Sequence, residues 1–379
     1  MSQIFKILVI NPGSTSTKAA IYENEKEVDA RTLSHSAERL ARFSSVNDQL
    51  DFRRKAVYGY LSDLKFDATE LSAVAARGGV IGRLESGAYE VDERLKALSL
   101  NSPVPHVSNL APIIAKDIAD EVGVKAYIYD PVCGCGQPDD IFAVSGLPEI
   151  PRRFVAHVLN SRAACFERSR LDGTDIGQTC HVVAHLGGGV TVSLIRGGKI
   201  VDIVADDEGA MSPERSGWLP ARLLVELCYS GRYTEKEMRR KIMGEGGLTA
   251  YLGTNDLIEV ERRILAGDKK ADLLHQAMAL QIAKDVASLF PSVDGRVDKI
   301  ILTGGLAHSR LLTERIEKRV AFLAEVAVMP GSFEVQALAL GVLRVLRGQE
   351  TAYKLPDCPL SEEEELQELS ATRFSFAGN

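Results

Sequence analysis

The chain has 379 residues, 45% of them hydrophobic and 26% charged, which predicts two folded domains rather than one core or a disordered chain. A net charge of -7 without any long basic run argues against a surface that tracks nucleic-acid phosphates. No stretch reaches the ~18 to 20 apolar residues of a membrane span and no secretory leader is recognisable, so a cytoplasmic protein without membrane or nucleic-acid partners is expected.

In chain order, Ile7 to Ile10 is continuously apolar, as a strand buried on both faces would be, and Asn11-Pro12-Gly13 is expected to break it. Lys18 to Tyr22 predicts a second strand and Val28 onward a third. Leu71 to Ala76 predicts a strand ending at Arg77-Gly78-Gly79, and Ala126 to Tyr129 one ending at Asp130-Pro131. Glycine and two prolines within Ser145 to Pro151 mark a hinge. Helical spacing covers Phe154 to Arg168, Ala221 to Ser230, Leu273 to Leu289 and Glu334 to Leu346, and a strand at Lys299 to Leu302 runs into Thr303-Gly304-Gly305. Ser361 and Glu364 form a capping-box pattern for a last acidic helix. Six cysteines with a single close pair, Cys133 and Cys135, do not make a disulfide framework or a zinc site and are read as reduced thiols.

The opening run KILVINPGSTSTK carries neither the spacing of a Walker A loop nor that of a dinucleotide fingerprint. It reads as a strand, a hydroxyl-rich turn and a second strand. The turn's backbone N–H groups at Gly13, the hydroxyls of Ser14, Ser16 and Thr17, and the charge of Lys18 suit phosphate oxygens. A second copy of the design lies downstream: Asn11 overlies His185, Gly13 overlies Gly187, and Thr17 overlies Thr191. This repeat predicts two related domains, the second with its own close-approach turn at Gly187, Gly188 and Gly189. Gly304 and Gly305 form a third glycine turn after a buried strand. His181 and His185 imitate a metal pair, but on a strand they stand ~13 Å apart.

Taken together, VINPGSTSTK, RGG, YDPV, SGLPEIPRR, HLGGGVTVSL, SPERSG, LTGGLAHS and PGSFEVQALALG occur in the order found in the acetate and butyrate kinase family, which this chain resembles over its full length. The NPGSTSTK and SPERSG forms resemble the butyrate branch. The resemblance implies an α/β protein of two duplicated actin-like (ribonuclease H-like) domains with a nucleotide cleft between them, the first spanning 1–147 plus about 340–379 and the second 148–339. It implies reversible phosphorylation of a short-chain fatty acid by ATP to give an acyl phosphate and ADP, with Mg²⁺ and a homodimeric or larger assembly. Acetate or propionate as acceptor, and an actin-like ATPase switch with no acyl acceptor, are the alternatives.

The same resemblance assigns roles residue by residue. Asn11, Ser14, Ser16 and Lys18 match the first phosphate and magnesium motif. Arg77 and Arg215 match the arginines around the acyl carboxylate and the transferring phosphoryl group, Asp130 the active-site aspartate, and His157 the transition-state histidine. Glu334 falls at the magnesium-linked glutamate, so Asn11, Asp130 and Glu334 are the expected metal set. Read from the residues alone, His157 would be a hydrogen-bonded core histidine, whereas Arg77 and Arg215, each in a glycine- or proline-marked turn after an apolar run, are read as functional rather than as surface ion pairs. A carboxylate acceptor is already ionised at neutral pH, so Asp130 is expected to position the metal or phosphoryl group rather than remove a proton. Ala156, Trp218 and the Cys133 to Gly136 turn depart from the family pattern around the expected acyl pocket.

Overall fold

A computed structural model of the protein describes residues 3–82, 84–102, 105–136, 139–150, 152 and 154–355. The expected capping box at Ser361 and Glu364 lies outside the described residues. Two compact units emerge, one from the chain up to Leu159 together with the chain from Phe333, the other from Asn160 to Ser332. The chain thus leaves the first unit within the helix Val158–Asp172 and returns just ahead of the helix Glu334–Leu346, against the boundaries expected at 147/148 and 339/340.

The first unit is built on a six-stranded sheet of β1 (Lys6–Pro12), β2 (Ser16–Glu23), β3 (Lys26–Ser34), β4 (Ala73–Arg77), β5 (Ala88–Glu90) and β6 (Lys125–Tyr129), in the order β3-β2-β1-β4-β6-β5. Strands β1, β4 and β6 are parallel neighbours, while β2 and β3 continue antiparallel from β1. Alternate residues of β1 explain its unbroken apolar run. Leu8 and Ile10 enter a core with Val57 and Ile114, whereas Ile7 and Val9 enter another with Leu338 and Val342 of the returning helix. Both faces are covered, so no polar alternation is needed. Pro12 does not end the strand as expected. Pairing with β4 stops at Ile10, so at Pro12 that flank of β1 is an edge, where a missing N–H breaks no ladder bond.

The second unit repeats the plan in a five-stranded sheet of β7 (Cys180–Leu186), β8 (Val190–Arg196), β9 (Lys199–Val204), β10 (Lys299–Gly304) and β11 (Glu325–Pro330), ordered β11-β10-β7-β8-β9. Strands β7, β8 and β9 form an antiparallel meander, and β7 pairs parallel with β10, as β1 does with β4. The hairpins differ in their turns. Asn11 pairs with Lys18 across the first, whereas His185 pairs with Thr191 across the second, so the first turn is one residue longer. One face of β7, through Val182, Ala184 and Leu186, packs on Met278 and Ile282 of the helix Lys269–Ser288. The expected helix from Phe154 begins only at Val158, so His157 precedes it rather than lying within it.

Candidate active site

Strand order places the first unit's chemistry. Asn11, Arg77 and Asp130 all stand at the C-terminal ends of the parallel strands β1, β4 and β6, the edge at which open α/β sheets bind ligands. Asn11 is 4% exposed, and its Nδ2 donates to Glu334 Oε2 at 2.8 Å. Arg77 Nη1 donates to the other oxygen, Oε1, also at 2.8 Å. Glu334, the first residue of its helix, therefore holds Asn11 and Arg77 with one carboxylate. Glycine is required beside Arg77: a Cβ on Gly78 would lie 2.5 Å from Pro131 Cβ, and one on Gly79 would lie 1.8 Å from Asn109 Oδ1.

Asp130 is buried and has φ of 44°, a left-handed conformation that costs a residue with a Cβ about 1 kcal/mol or more. A reciprocal pair fixes it, Gly87 N donating to Asp130 Oδ1 at 2.8 Å and Asp130 N donating to Gly87 O at 3.0 Å. His106, which the motif reading passed over, is held below the usual histidine range by burial and by the charge of Arg77. Its Nδ1 accepts from Ser108 N at 3.2 Å, which leaves the ring proton on Nε2. Cys133 and Cys135 are buried free thiols, and burial pushes the Cys133 thiol up to about 11, so it stays protonated.

The first turn is folded inward on itself. Gly13 N donates to Ser16 O at 2.8 Å, while Ser14 and Thr15 are exposed. Beneath it lies Arg53, which motif reading also missed. Arg53 is 0% exposed and donates to Gly13 O, Ser14 O and Ser16 O, each at 2.9 Å, and to Thr17 Oγ1 at 3.2 Å. Thr17 Oγ1 in turn meets His35 Nε2 at 2.9 Å.

In the second unit, His185 Nδ1 lies 3.0 Å from Asn160 Nδ2, which also donates to Thr303 Oγ1 at 3.2 Å. With the amide donating, Nδ1 accepts and the ring proton sits on Nε2, beside Gly187. The Ser212–Gly217 loop is fastened over the glycine turn. Ser212 Oγ donates to Gly188 O and accepts from Arg215 N at 3.1 Å. A Cβ on Gly189 would fall 2.8 Å from Arg215 Cζ, so only glycine leaves room for the guanidinium. Arg215 forms an ion pair with Asp206, and its Nε is buried without a hydrogen-bond partner among the described residues. Gly304, at φ of 92°, brings its backbone against Leu186 O, where a Cβ would stand 2.4 Å away, whereas Gly305 meets nothing within 4 Å. Trp218 is 69% exposed.

Two side chains from the helix Lys269–Ser288 hold the approach to that loop. Asp285 Oδ2 accepts from Ala210 N at 2.5 Å, and Gln281 Oε1 accepts from Met211 N at 2.8 Å. Burial, with Glu208 nearby, pushes the Asp285 carboxyl up to about 7.

Of the expected metal set, Asn11 and Glu334 touch, whereas Asp130 stands at a strand end two places along the sheet. Among the described residues no three His, Cys, Asp or Glu side chains make a metal-holding group. An amide beside a carboxylate, as at Asn11 and Glu334, is a donor pair of the kind Mg²⁺ takes where phosphate and water complete its shell.

Comparison with known proteins bears on the whole chain. Residues 153–328 match the Acetokinase family. Butyrate kinase 2 of Clostridium acetobutylicum is 46% identical over 353 residues, covering 92% of this chain and 99% of that relative. A probable butyrate kinase 2 of Caldanaerobacter subterraneus subsp. tengcongensis is 47% identical over 350 residues, with the same coverage. Among solved structures, acetate kinase of Porphyromonas gingivalis aligns with a TM-score of 0.75 at 19% identity, over 90% of this chain and 100% of that one. Acetate kinase of Entamoeba histolytica aligns at 0.72 and 14% identity, over 89% and 98%. The structural likeness shows a shared two-sheet α/β fold, and both sequence relatives are named as butyrate kinases. The chain belongs to the acetokinase family of carboxylate kinases, in its butyrate kinase branch.

Proposed function

We propose that the protein transfers the γ-phosphoryl group of ATP reversibly to butyrate or a branched relative of similar length. A carboxylate oxygen attacks the γ-phosphorus, the bond to the β-phosphate oxygen breaks, and acyl phosphate and ADP result. The observation that carries this reading is the Asn11–Glu334–Arg77 cluster at the ends of parallel strands, in a chain aligned with butyrate kinases over 92% of its length.

The acceptor is an anion already, so no base is needed, and the protein's work is positioning and charge stabilisation. In this proposal the first unit supplies the Gly13–Thr17 turn and Lys18 for nucleotide phosphates, with Arg77 on the carboxylate and His157 on the transferring group. Asn11, Asp130 and Glu334 would hold Mg²⁺, which neutralises phosphate charge when bound. The second unit supplies Arg215 for the equatorial oxygens and the turns at Gly187–Gly189 and Gly304–Gly305 for close backbone approach to the nucleotide.

Self-association belongs to the same proposal. Among the described residues, the helix Ala221–Cys228 has no buried member, and Leu223 and Val225 are exposed, an apolar face of the kind that associates. No described helix is long and apolar enough to cross a membrane, and we place the reaction in the cytoplasm, where ATP is supplied.

The test is hydroxylamine trapping of acyl phosphate with ATP, Mg²⁺ and acids from acetate to valerate, with isobutyrate. A maximum at four or five carbons is expected. A maximum at acetate or propionate would reassign the acceptor, and ATP hydrolysis without any hydroxamate would leave an ATPase switch.

A further inference from the structure

Arg53 is a buried cation whose acceptors are all neutral. Its Nε donates to Gln49 Oε1 at 3.0 Å, and its two terminal nitrogens reach the three carbonyls and the Thr17 hydroxyl of the turn. Among the described residues no carboxylate pairs with it, although its exposure is 0%. A full charge held in this way is costly unless an opposite charge comes close. Arginine does not escape by losing its proton, even though burial draws its pKa down.

The geometry shows on which side that opposite charge would enter. In a trans peptide the C=O and the following N–H point in opposite directions. With the carbonyls of Gly13 and Ser14 turned onto Arg53, the N–H groups of Ser14 and Thr15 turn away from it, on the two residues of the turn that are exposed. Arg53 thus orients the peptide dipoles and adds a full charge behind them. Thr17 Oγ1 accepts from Arg53 and lies 2.9 Å from His35 Nε2, so the imidazole is held beside the guanidinium. Burial and the Arg53 charge act on His35 in the same direction, lowering its pKa.

We propose that Arg53 is a positioning residue for the nucleotide's phosphates, its buried charge supplying the field of the Gly13–Thr17 turn and being balanced by the bound phosphate. The inference rests on the reading of that turn as the phosphate holder given above. It concerns a residue that touches the loop and not the nucleotide.

The experiment compares ADP and adenosine affinities by calorimetry for the wild type, Arg53→Gln and Arg53→Lys, with thermal melts to establish folding. Arg53→Gln removes the charge and should weaken ADP tenfold or more while leaving adenosine within about twofold. Arg53→Lys keeps the charge with fewer hydrogen bonds and should restore ADP to within about threefold of the wild type. A folded Arg53→Gln with an unchanged ADP-to-adenosine ratio overturns the proposal. Should Arg53→Gln not fold, Arg53→Lys decides: tenfold weaker ADP means that the fork and not the charge matters, and the proposal falls. Failure of both variants to fold would assign Arg53 to loop folding alone and equally overturn it. Wild-type protein that binds ADP no better than adenosine would instead remove the turn from phosphate binding, a separate failure visible before any variant is made.

Discussion

Asn11 Nδ2 lies 2.8 Å from Glu334 Oε2 although the two residues are 323 positions apart in the chain, and the second oxygen of the same carboxylate holds Arg77. One side chain therefore sets the orientation of an amide and a guanidinium at the ends of two adjacent strands. Glu334→Gln would keep the shape and lose the charge that aligns Arg77. A fall in kcat on the order of 10² is expected, within the range for groups that orient charge-stabilising donors. The pair is partly exposed, with side chains at 18% and 13%, so the melting temperature should move by only a few degrees. Steady-state hydroxamate assays and a thermal melt check both, and wild-type turnover would remove Glu334 from the site.

That contact shows what local pattern could and could not reveal. Apolar runs and glycine punctuation exposed β1, β2, β7 and β8 and their repetition, because each hairpin's buried strands are written in consecutive residues. The helix Glu334–Leu346 was legible for the same reason, and motif likeness pointed to its first residue. Neither pattern contains the distance from Glu334 to Asn11, which tertiary packing creates. Arg53 stayed hidden because DFRRK reads as a solvated turn of helix. Its spacing to Val57, Tyr60 and Leu61, all buried, was the available signal, since it places the arginine on the apolar stripe. The helix start near His157 was misread because the spacing of Phe154, Val158 and Leu159 mimics one helical face across a junction. Asp285 and Gln281 carry no motif at all; only the fold brings them to Ala210 and Met211.

The glycine turn of the second unit and Arg215 should fail together. Arg215→Ala is expected to cost on the order of 10³ in kcat, as loss of a charge-stabilising arginine does. Gly189→Ala, which leaves the arginine in place, should still lower kcat tenfold or more, because its methyl would sit 2.8 Å from Cζ. Normal turnover by Gly189→Ala would mean that the guanidinium works from another position.

Asp130 combines a charge with an unusual backbone, and two variants separate these. Asparagine tolerates the left-handed region better than other residues with a side chain and can still accept from Gly87 N. Asp130→Asn should melt near the wild-type temperature yet lose most activity. Asp130→Ala loses both the acceptor and the tolerance, and about 1–3 kcal/mol of stability with them. Equal melting temperatures for the two variants, in denaturation scans at one pH, would show that the φ of 44° carries no structural cost.

Asp285 makes stability depend on pH in a direction opposite to most carboxylates. Burial, helped by Glu208, raises its folded pKa to about 7, against about 3.9 in an unfolded chain. The fold therefore keeps a proton that the unfolded chain gives up, and the resulting stabilisation is complete below about pH 4 and lost as pH rises through 7. Asparagine cannot titrate, and its side-chain oxygen can still accept from Ala210 N. The melting temperature of the wild type minus that of Asp285→Asn should thus fall steadily between pH 4.5 and 8 and level off above it. Scanning fluorimetry of both proteins in matched buffers measures the difference directly. Parallel curves would place the Asp285 titration outside that window and leave Asp285 as an ordinary ionised anchor for the segment that leads to Arg215.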